Sequence, residues 1–143
     1  MPNHMTFSIP PIAKLIQEEL GSNFVDPFPY PFERDALEYL KEFPTESVEK
    51  LAFDPPYSVR QLKEKYEQAG LSFETRPTYW RLLKEEIARI VKPNGKVISF
   101  GWNSGGIGKV LGFEITRILL VAHGGIHNDT ICTVEKKIQT RLI

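Results

Sequence analysis

Two consecutive prolines, Pro55 and Pro56, close an apolar run from Val48 to Phe53 and constrain this chain more than any other feature. Val48 to Phe53 reads as a strand, and proline, lacking an amide donor, cannot continue a central ladder. The strand must therefore end at Asp54-Pro55-Pro56-Tyr57, on a rigid edge that offers carbonyls and a carboxylate but few donors, with a flat aromatic beside it. In an open α/β sheet the carboxyl ends of strands are where ligands bind. Such an edge suits an amino group held in an aromatic slot. A plain strand-terminating turn with an exposed tyrosine is the competing reading of the same four residues.

The rest of the chain supplies alternating helices and strands. Ile12, Leu15, Ile16 and Leu20 recur at helical spacing after Pro10 and Pro11 and before Gly21, which predicts a helix with proline in its first turn. Asn23-Phe24-Val25 reads as a short strand end. Asp35 to Phe43 predicts a short amphipathic helix, residues 59–78 a surface helix or ordered loop, and Tyr79 to Val91 a strongly amphipathic helix. Lys92 to Lys96 reads as a turn, Val97 to Phe100 as a buried strand, and Phe113 to His123 with Thr130 to Lys137 as a hairpin. Helices between apolar strands followed by a hairpin predict an α/β sheet, mostly parallel with a terminal antiparallel hairpin. With 143 residues, one domain is expected across 1–143.

Composition removes several classes. The 18 Lys+Arg cancel the 18 Asp+Glu, so any nucleic-acid binding must come from a local patch rather than from overall charge. No apolar run approaches the ~18 residues of a membrane span, and residues 2–4 do not look like a secretory leader, so a cytoplasmic protein with no membrane partner is expected. The lone Cys132 cannot form an internal disulfide and reads as inert. His123, His127, Asp129 and Cys132 flank the hairpin turn without zinc-ligand spacing, so no metal is expected. Gly101 to Lys109 is glycine-rich and ends in lysine, but no Ser or Thr follows Lys109 and the spacing is not that of a phosphate loop. Arg60, Lys63, Lys65, Arg76, Arg81 and Lys84 are cations that form either a phosphate-binding patch or a solvated helix face diluted by glutamates.

Asp54-Pro55-Pro56-Tyr57 resembles the catalytic motif of the S-adenosylmethionine-dependent amino methyltransferases of DNA. The likeness extends along about residues 7–137. Val25-Asp26-Pro27-Phe28 resembles the start of that family's cofactor motif, Phe7 to Ile16 its preceding cofactor segment, and Asp35-Ala36 the acidic position that contacts the cofactor adenine. Glu86 to Lys96 is similar to the helix-turn-strand after the catalytic loop. Phe100-Gly101-Trp102-Asn103 and His127-Asn128-Asp129-Thr130 resemble small phage-type or mobile-element adenine methyltransferases.

The resemblance implies a Rossmann-like methyltransferase sheet, S-adenosylmethionine as cofactor, DNA as partner and methyl transfer to adenine N6 of a flipped base. Asp54, Pro55, Pro56 and Tyr57 would be the catalytic group, with Ser8, Ile9, Pro10, Asp26, Pro27, Phe28, Asp35 and Ala36 around the cofactor. Ser58, Arg60, Lys63 and Arg76 would meet DNA. Cytosine N4 is the second reading, and a catalytically weak methyltransferase-fold protein that binds DNA or a partner is the third. The chain departs from the pattern between Phe28 and Asp35, where the glycine-rich turn, helix, second strand and ribose-binding carboxylate of the family have no counterpart. No separate target-recognition domain is expected, so sequence choice would fall to short loops or to a recognition subunit; a homodimer is the other candidate partner.

Overall fold

The computed structural model describes residues 6–29, 34–56, 59–68, 70, 78–101, 103–122 and 129–138. A 3-10 turn at Thr6–Ser8 leads into helix α1 (Pro10–Glu19). Pro10 and Pro11 occupy its first turn, where an amide donor would have no helical partner anyway. The helix stops as predicted: Leu20 and Gly21 both donate to the Ile16 carbonyl, and Gly21 takes a left-handed φ of 74°. Helices α2 (Ala36–Lys41), α3 (Val59–Gln68) and α4 (Tyr79–Ile90), strands β1 (Val48–Phe53), β2 (Val91–Gly101), β3 (Phe113–Val121) and β4 (Thr130–Lys137), and a second 3-10 turn at Lys109–Leu111 between β2 and β3 complete the order among the described residues.

The sheet runs β1-β2-β4-β3. Its β1/β2 ladder is parallel, while β2/β4 and β3/β4 are antiparallel. The expectation of a mostly parallel sheet is therefore corrected: the sheet is mixed and mostly antiparallel. Two causes act together. The last strand turns back and inserts between β2 and β3 instead of adding at the edge, which converts both of its ladders. On the parallel side, the described residues before β1 add a single parallel bridge, Val25 to Leu51, closed by Val25 N–H to Lys50 O at 3.0 Å and Ala52 N–H to Val25 O at 2.9 Å. The Lys92–Lys96 turn survives as an irregularity within β2: Val48 pairs with Val91 but Lys50 pairs with Lys96, and Asn94 adopts a φ of 70°.

Each face of the sheet has its own apolar layer. Ile12, Leu15 and Ile16 of α1 pack on Ala52, Ile98, Phe100, Cys132 and Val134. On the other face α2 and α4 bring Leu40, Leu83 and Ile87 against Leu51, Phe53 and Val97. The alternation along β1 and β2 is what sends neighbours to opposite layers. Truncating a fully buried residue such as Leu51 to alanine costs about 2–5 kcal/mol.

Polar residues inside the layers are tied down. Lys137, 2% exposed, donates to the carbonyls of Ala88 and Val91, both at 2.7 Å, and so closes the end of α4 from β4. Burial pushes its ammonium below the usual lysine value. Glu19 at the end of α1 meets Lys96 at 3.0 Å and Arg117 at 3.1 Å; against the upward push of burial, these partners hold its carboxyl below the usual value. Among the described residues no helix is long and apolar enough to cross a membrane.

Candidate active site

The chain after β1 forms a crest with a different chemistry on each side. Leu51 and Phe53 belong to the α4 layer and Ala52 to the α1 layer, so alternation carries Asp54 to the α1 side. Asp54 is 6% exposed and hydrogen-bonds Thr6 of the N-terminal 3-10 turn. Asp26 faces the same place, one residue beyond the Val25 bridge to β1. Its Oδ1 accepts the Phe28 N–H at 3.0 Å, which folds Asp26-Pro27-Phe28 into a tight turn. Phe28 then packs on Phe53 with ring centroids 6.2 Å apart.

Burial raises both carboxyls, and the charge of Asp26 raises Asp54 further. Burial pushes Asp26 up to about 6. Burial, then the charge of Asp26, pushes Asp54 up to about 8. At neutral pH the pair retains a proton, and a cation set against it would release that proton. Cys132 lies on the same side and is fully buried; burial and then Asp54 push its thiol up to about 12, in keeping with an inert cysteine.

On the α4 side, Pro55 and Pro56 border a cavity of about 140 Å³. Phe53 and Trp80 give it apolar walls, Asn103 and Lys84 stand among its lining, and Ser99, Phe100 and Gly101 of β2 border it. The loop beyond β2 is held against the sheet by Glu135, 1% exposed, whose carboxylate accepts Ile107 N–H at 2.7 Å and Gly108 N–H at 3.0 Å. Gly106 has a φ of 57°, and a side chain there would collide with that carboxylate. The glycine-rich 103–108 segment is thus a loop clamped by a carboxylate. The Ser99 Oγ is buried and has no hydrogen-bond partner among the described residues, and neither has the Thr133 Oγ1. Ser99 and Thr133 are direct partners in the β2/β4 register and so share a face. Leaving a buried hydroxyl unpaired costs about 1–3 kcal/mol.

The structure brings together Asp26, Phe28, Asp54, Pro55 and Pro56 of the residues expected from sequence. Pro27 is buried in the Asp26 turn, while Ser8 and Pro10 are exposed and Ile9 half-buried where the 3-10 turn meets α1. Asp35 is placed differently in its contacts. It stands before α2 and accepts a hydrogen bond from the Tyr79 hydroxyl, and Ala36, fully buried, donates its N–H to the Tyr66 hydroxyl at 2.8 Å. Burial, with Tyr66 and Asp35 adding to it, drives the Tyr79 hydroxyl far above its usual value. The Asp35-Ala36 pair is built into the packing of α2 on α3 and α4. Tyr57, Ser58 and Arg76 lie outside the described residues, as do Trp102, His123 and His127. Arg60 lies on α3, and Lys63 is exposed on that helix, 4.0 Å from Glu67. Sequence reasoning did not single out Thr6 or Ser99. Ser99 had a signal, a lone hydroxyl interrupting the apolar run Val97-Ile98-Ser99-Phe100; Thr6 had none.

No protein-family model matches the chain, and no curated protein matches it. Solved structures do. A Thermus thermophilus protein assigned as a DNA modification methylase superposes with a TM-score of 0.50 at 18% identity, over 77% of this chain and 55% of its own. The same protein in complex with S-adenosyl-L-methionine gives 0.49 at 18% identity, over 77% and 54%. TrmN from Thermus thermophilus gives 0.47 at 19% identity, over 75% of this chain and 28% of its own. The chain thus spans about half or less of these proteins. The class defined by the fold is the methyltransferase-like α/β sheet.

Proposed function

We propose that this chain is an S-adenosylmethionine-dependent methyltransferase acting on adenine N6 in DNA. The observation that carries the reading is the placement of Asp54-Pro55-Pro56 at the carboxyl end of β1, between a nook of two carboxylates and an apolar cavity. The chemistry of the carboxylate side fits the cofactor. S-adenosylmethionine, when bound, supplies the methyl group from a sulfonium cation, and Asp26 and Asp54 are acceptors that a nearby cation would keep ionised. Asp26, Pro27 and Phe28, with Ser8, Ile9 and Pro10, would line it, and Asp35 and Ala36 would border it as packing partners. That the Thermus methylase is solved with this cofactor supports the assignment.

The remaining steps belong to the chain's own groups. An exocyclic amine conjugated to a purine is a poor nucleophile, because its lone pair is delocalised into the ring. The Asp54 carboxylate and the Pro55 carbonyl would accept its two N–H groups and favour a more pyramidal nitrogen. Tyr57 would stack on the base and offset part of the few kcal/mol spent on flipping it from the duplex. Holding amine and methyl in line supplies much of the acceleration. Arg60 and Lys63 on α3, with Ser58 and Arg76, would meet the phosphates.

The test is transfer of labelled methyl from S-adenosylmethionine to DNA, followed by base analysis. Label on adenine is expected, label on cytosine would move the specificity to N4, and an unlabelled DNA would overturn the proposal. One observation favours a second reading: the six residues between Phe28 and Asp35 leave little chain for a full cofactor cradle, which suits a non-catalytic DNA- or partner-binding protein.

A further inference from the structure

The outer strand of the sheet lacks both of the covers that its neighbours have. β3 stands last in the order β1-β2-β4-β3 and pairs with β4 alone among the described residues, so alternate N–H and C=O groups along its nine residues point outward. Its α4-side face is bare as well. Among the described residues the connection from β2 carries the 3-10 turn Lys109–Leu111 and no helix. Leu119 packs on the α1 layer, while its neighbours Ile118 and Leu120, on the opposite face, stay 52% and 61% exposed. Proteins blunt such an edge with proline, lysine or a bulge. β3 has neither proline nor lysine, and its bulge between Ile115 and Arg117 leaves the ladder regular over 117–121. The charges select the occupant. Arg117 is met by Glu18 at 3.0 Å and Glu19 at 3.1 Å of its own chain, and Glu114 stands opposite Lys136 in the β3/β4 register. Ile118 to Val121 carries no charge, and the whole chain balances 18 cations with 18 anions. A charged peptide finds no countercharge here, whereas a second copy brings the same neutral apolar edge and is not repelled.

We propose that two copies of this chain pair antiparallel through β3, about a two-fold axis at Leu119. Opposite residues of an antiparallel pair share a face, so this register sets Ile118 of each copy against Leu120 of the other and gathers four apolar side chains on the bare face. Other registers are worse. An axis at Ile118 draws the bulge into the ladder, one at Arg117 opposes two guanidinium groups, and one at Leu120 pairs Ile118 with Ala122, past the end of β3. The contact uses the same edge on both copies, so it closes at two and does not grow into a fibre. β1 and β3 run in the same direction, and the second copy runs opposite to the first. The two Asp54-Pro55-Pro56 crests therefore end on opposite edges of the joined sheet, and each stays open.

Sedimentation of the full chain over a range of concentrations is the test. A reversible rise to twice the monomer mass is expected; a monomer throughout the soluble range, or growth past the dimer, overturns the pairing. Ile118→Lys and Leu120→Glu replace exposed side chains, so each variant should keep the parent's unfolding temperature at monomeric dilution. Each should weaken self-association at least about tenfold, the factor that ~1.4 kcal/mol represents. Mixed together they should form a heterodimer, because the register sets the new lysine opposite the new glutamate. A dimer that neither variant weakens, or a mixture that stays monomeric, contradicts the Leu119 axis. Hydrogen exchange supplies the backbone readout. The outward amides among residues 117–121 should exchange more slowly in the dimer, and a dimer that leaves them unprotected joins through some other surface. S-adenosylmethionine binding should be equal in the parent and both variants, since β3 lies three strands from β1. Loss of the methyltransferase reading would leave this pairing standing, and loss of the pairing would leave that reading intact.

Discussion

The two sides of the crest after β1 differ in almost every physical respect. Towards α1, Asp26 and Asp54 crowd two acidic groups into a site closed by Thr6 and the Asp26 turn, and both carboxyls are pushed up. Towards α4, proline and aromatic side chains form a cavity whose cation is Lys84. The first environment favours a small cation over any anion. The second favours a flat ring attached to a polyanion. A reaction that joins a sulfonium methyl to an amine on a base needs these two environments back to back, with the acceptors for the amine on the ridge between them. Asp54 and Pro55 are adjacent in the chain and, through strand alternation, serve opposite sides.

Removing the ridge should have the largest effect. Asp54→Ala is expected to cut methyl transfer at least about a hundredfold, while thermal unfolding at neutral pH shifts by no more than the loss of one buried hydrogen bond, that with Thr6. Unchanged turnover would break the assignment. Disturbing one side only should be next. Glu135→Ala strips two backbone N–H groups of their acceptor at about 1–3 kcal/mol each. It should loosen the 103–108 loop and raise the Michaelis constant for DNA, while S-adenosylmethionine affinity is retained. Equal losses on both sides would mean that the crest does not separate them.

The smallest effect is a slope in pH. Free carboxyls titrate near ~3.9, whereas Asp26 rises to about 6 and Asp54 to about 8 in the folded chain. The folded state therefore binds more protons than the unfolded state between those limits. The stability these groups contribute is complete below the unfolded value and is lost as pH rises through the folded values. Unfolding temperature should fall from pH 5 to pH 8 by this contribution, and Asp54→Asn should flatten the fall. A slope identical in parent and variant would contradict the upward push on Asp54.

Local signals in the chain were enough for the elements and not for their assembly. Pro10 and Pro11 at the start of α1, Gly21 at its end and the Leu83–Ile87 stripe of α4 act over a few residues, and each element stands where that chemistry places it. The insertion of β4 between β2 and β3 depends on pairing across the whole chain, and no local pattern encodes it. The candidate site divides in the same way. Asp54-Pro55-Pro56 is legible because consecutive prolines leave few alternatives. The contacts of Asp35 with Tyr79 and of Ala36 with Tyr66 span 44 and 30 residues, and they were not legible at all. Glu135 and Lys137 sit in a strand pattern that a surface edge would also produce; only the interior position of β4 makes them buried clamps.

The most direct measurement is a calorimetric titration of S-adenosylmethionine into the purified protein at neutral pH, repeated in two buffers of different ionisation heat. Micromolar binding is expected, with net release of protons to the buffer as the cation lowers the shared titration of Asp26 and Asp54. Absence of binding by the intact chain would contradict the account, and binding without proton release would place the cofactor away from the two carboxylates.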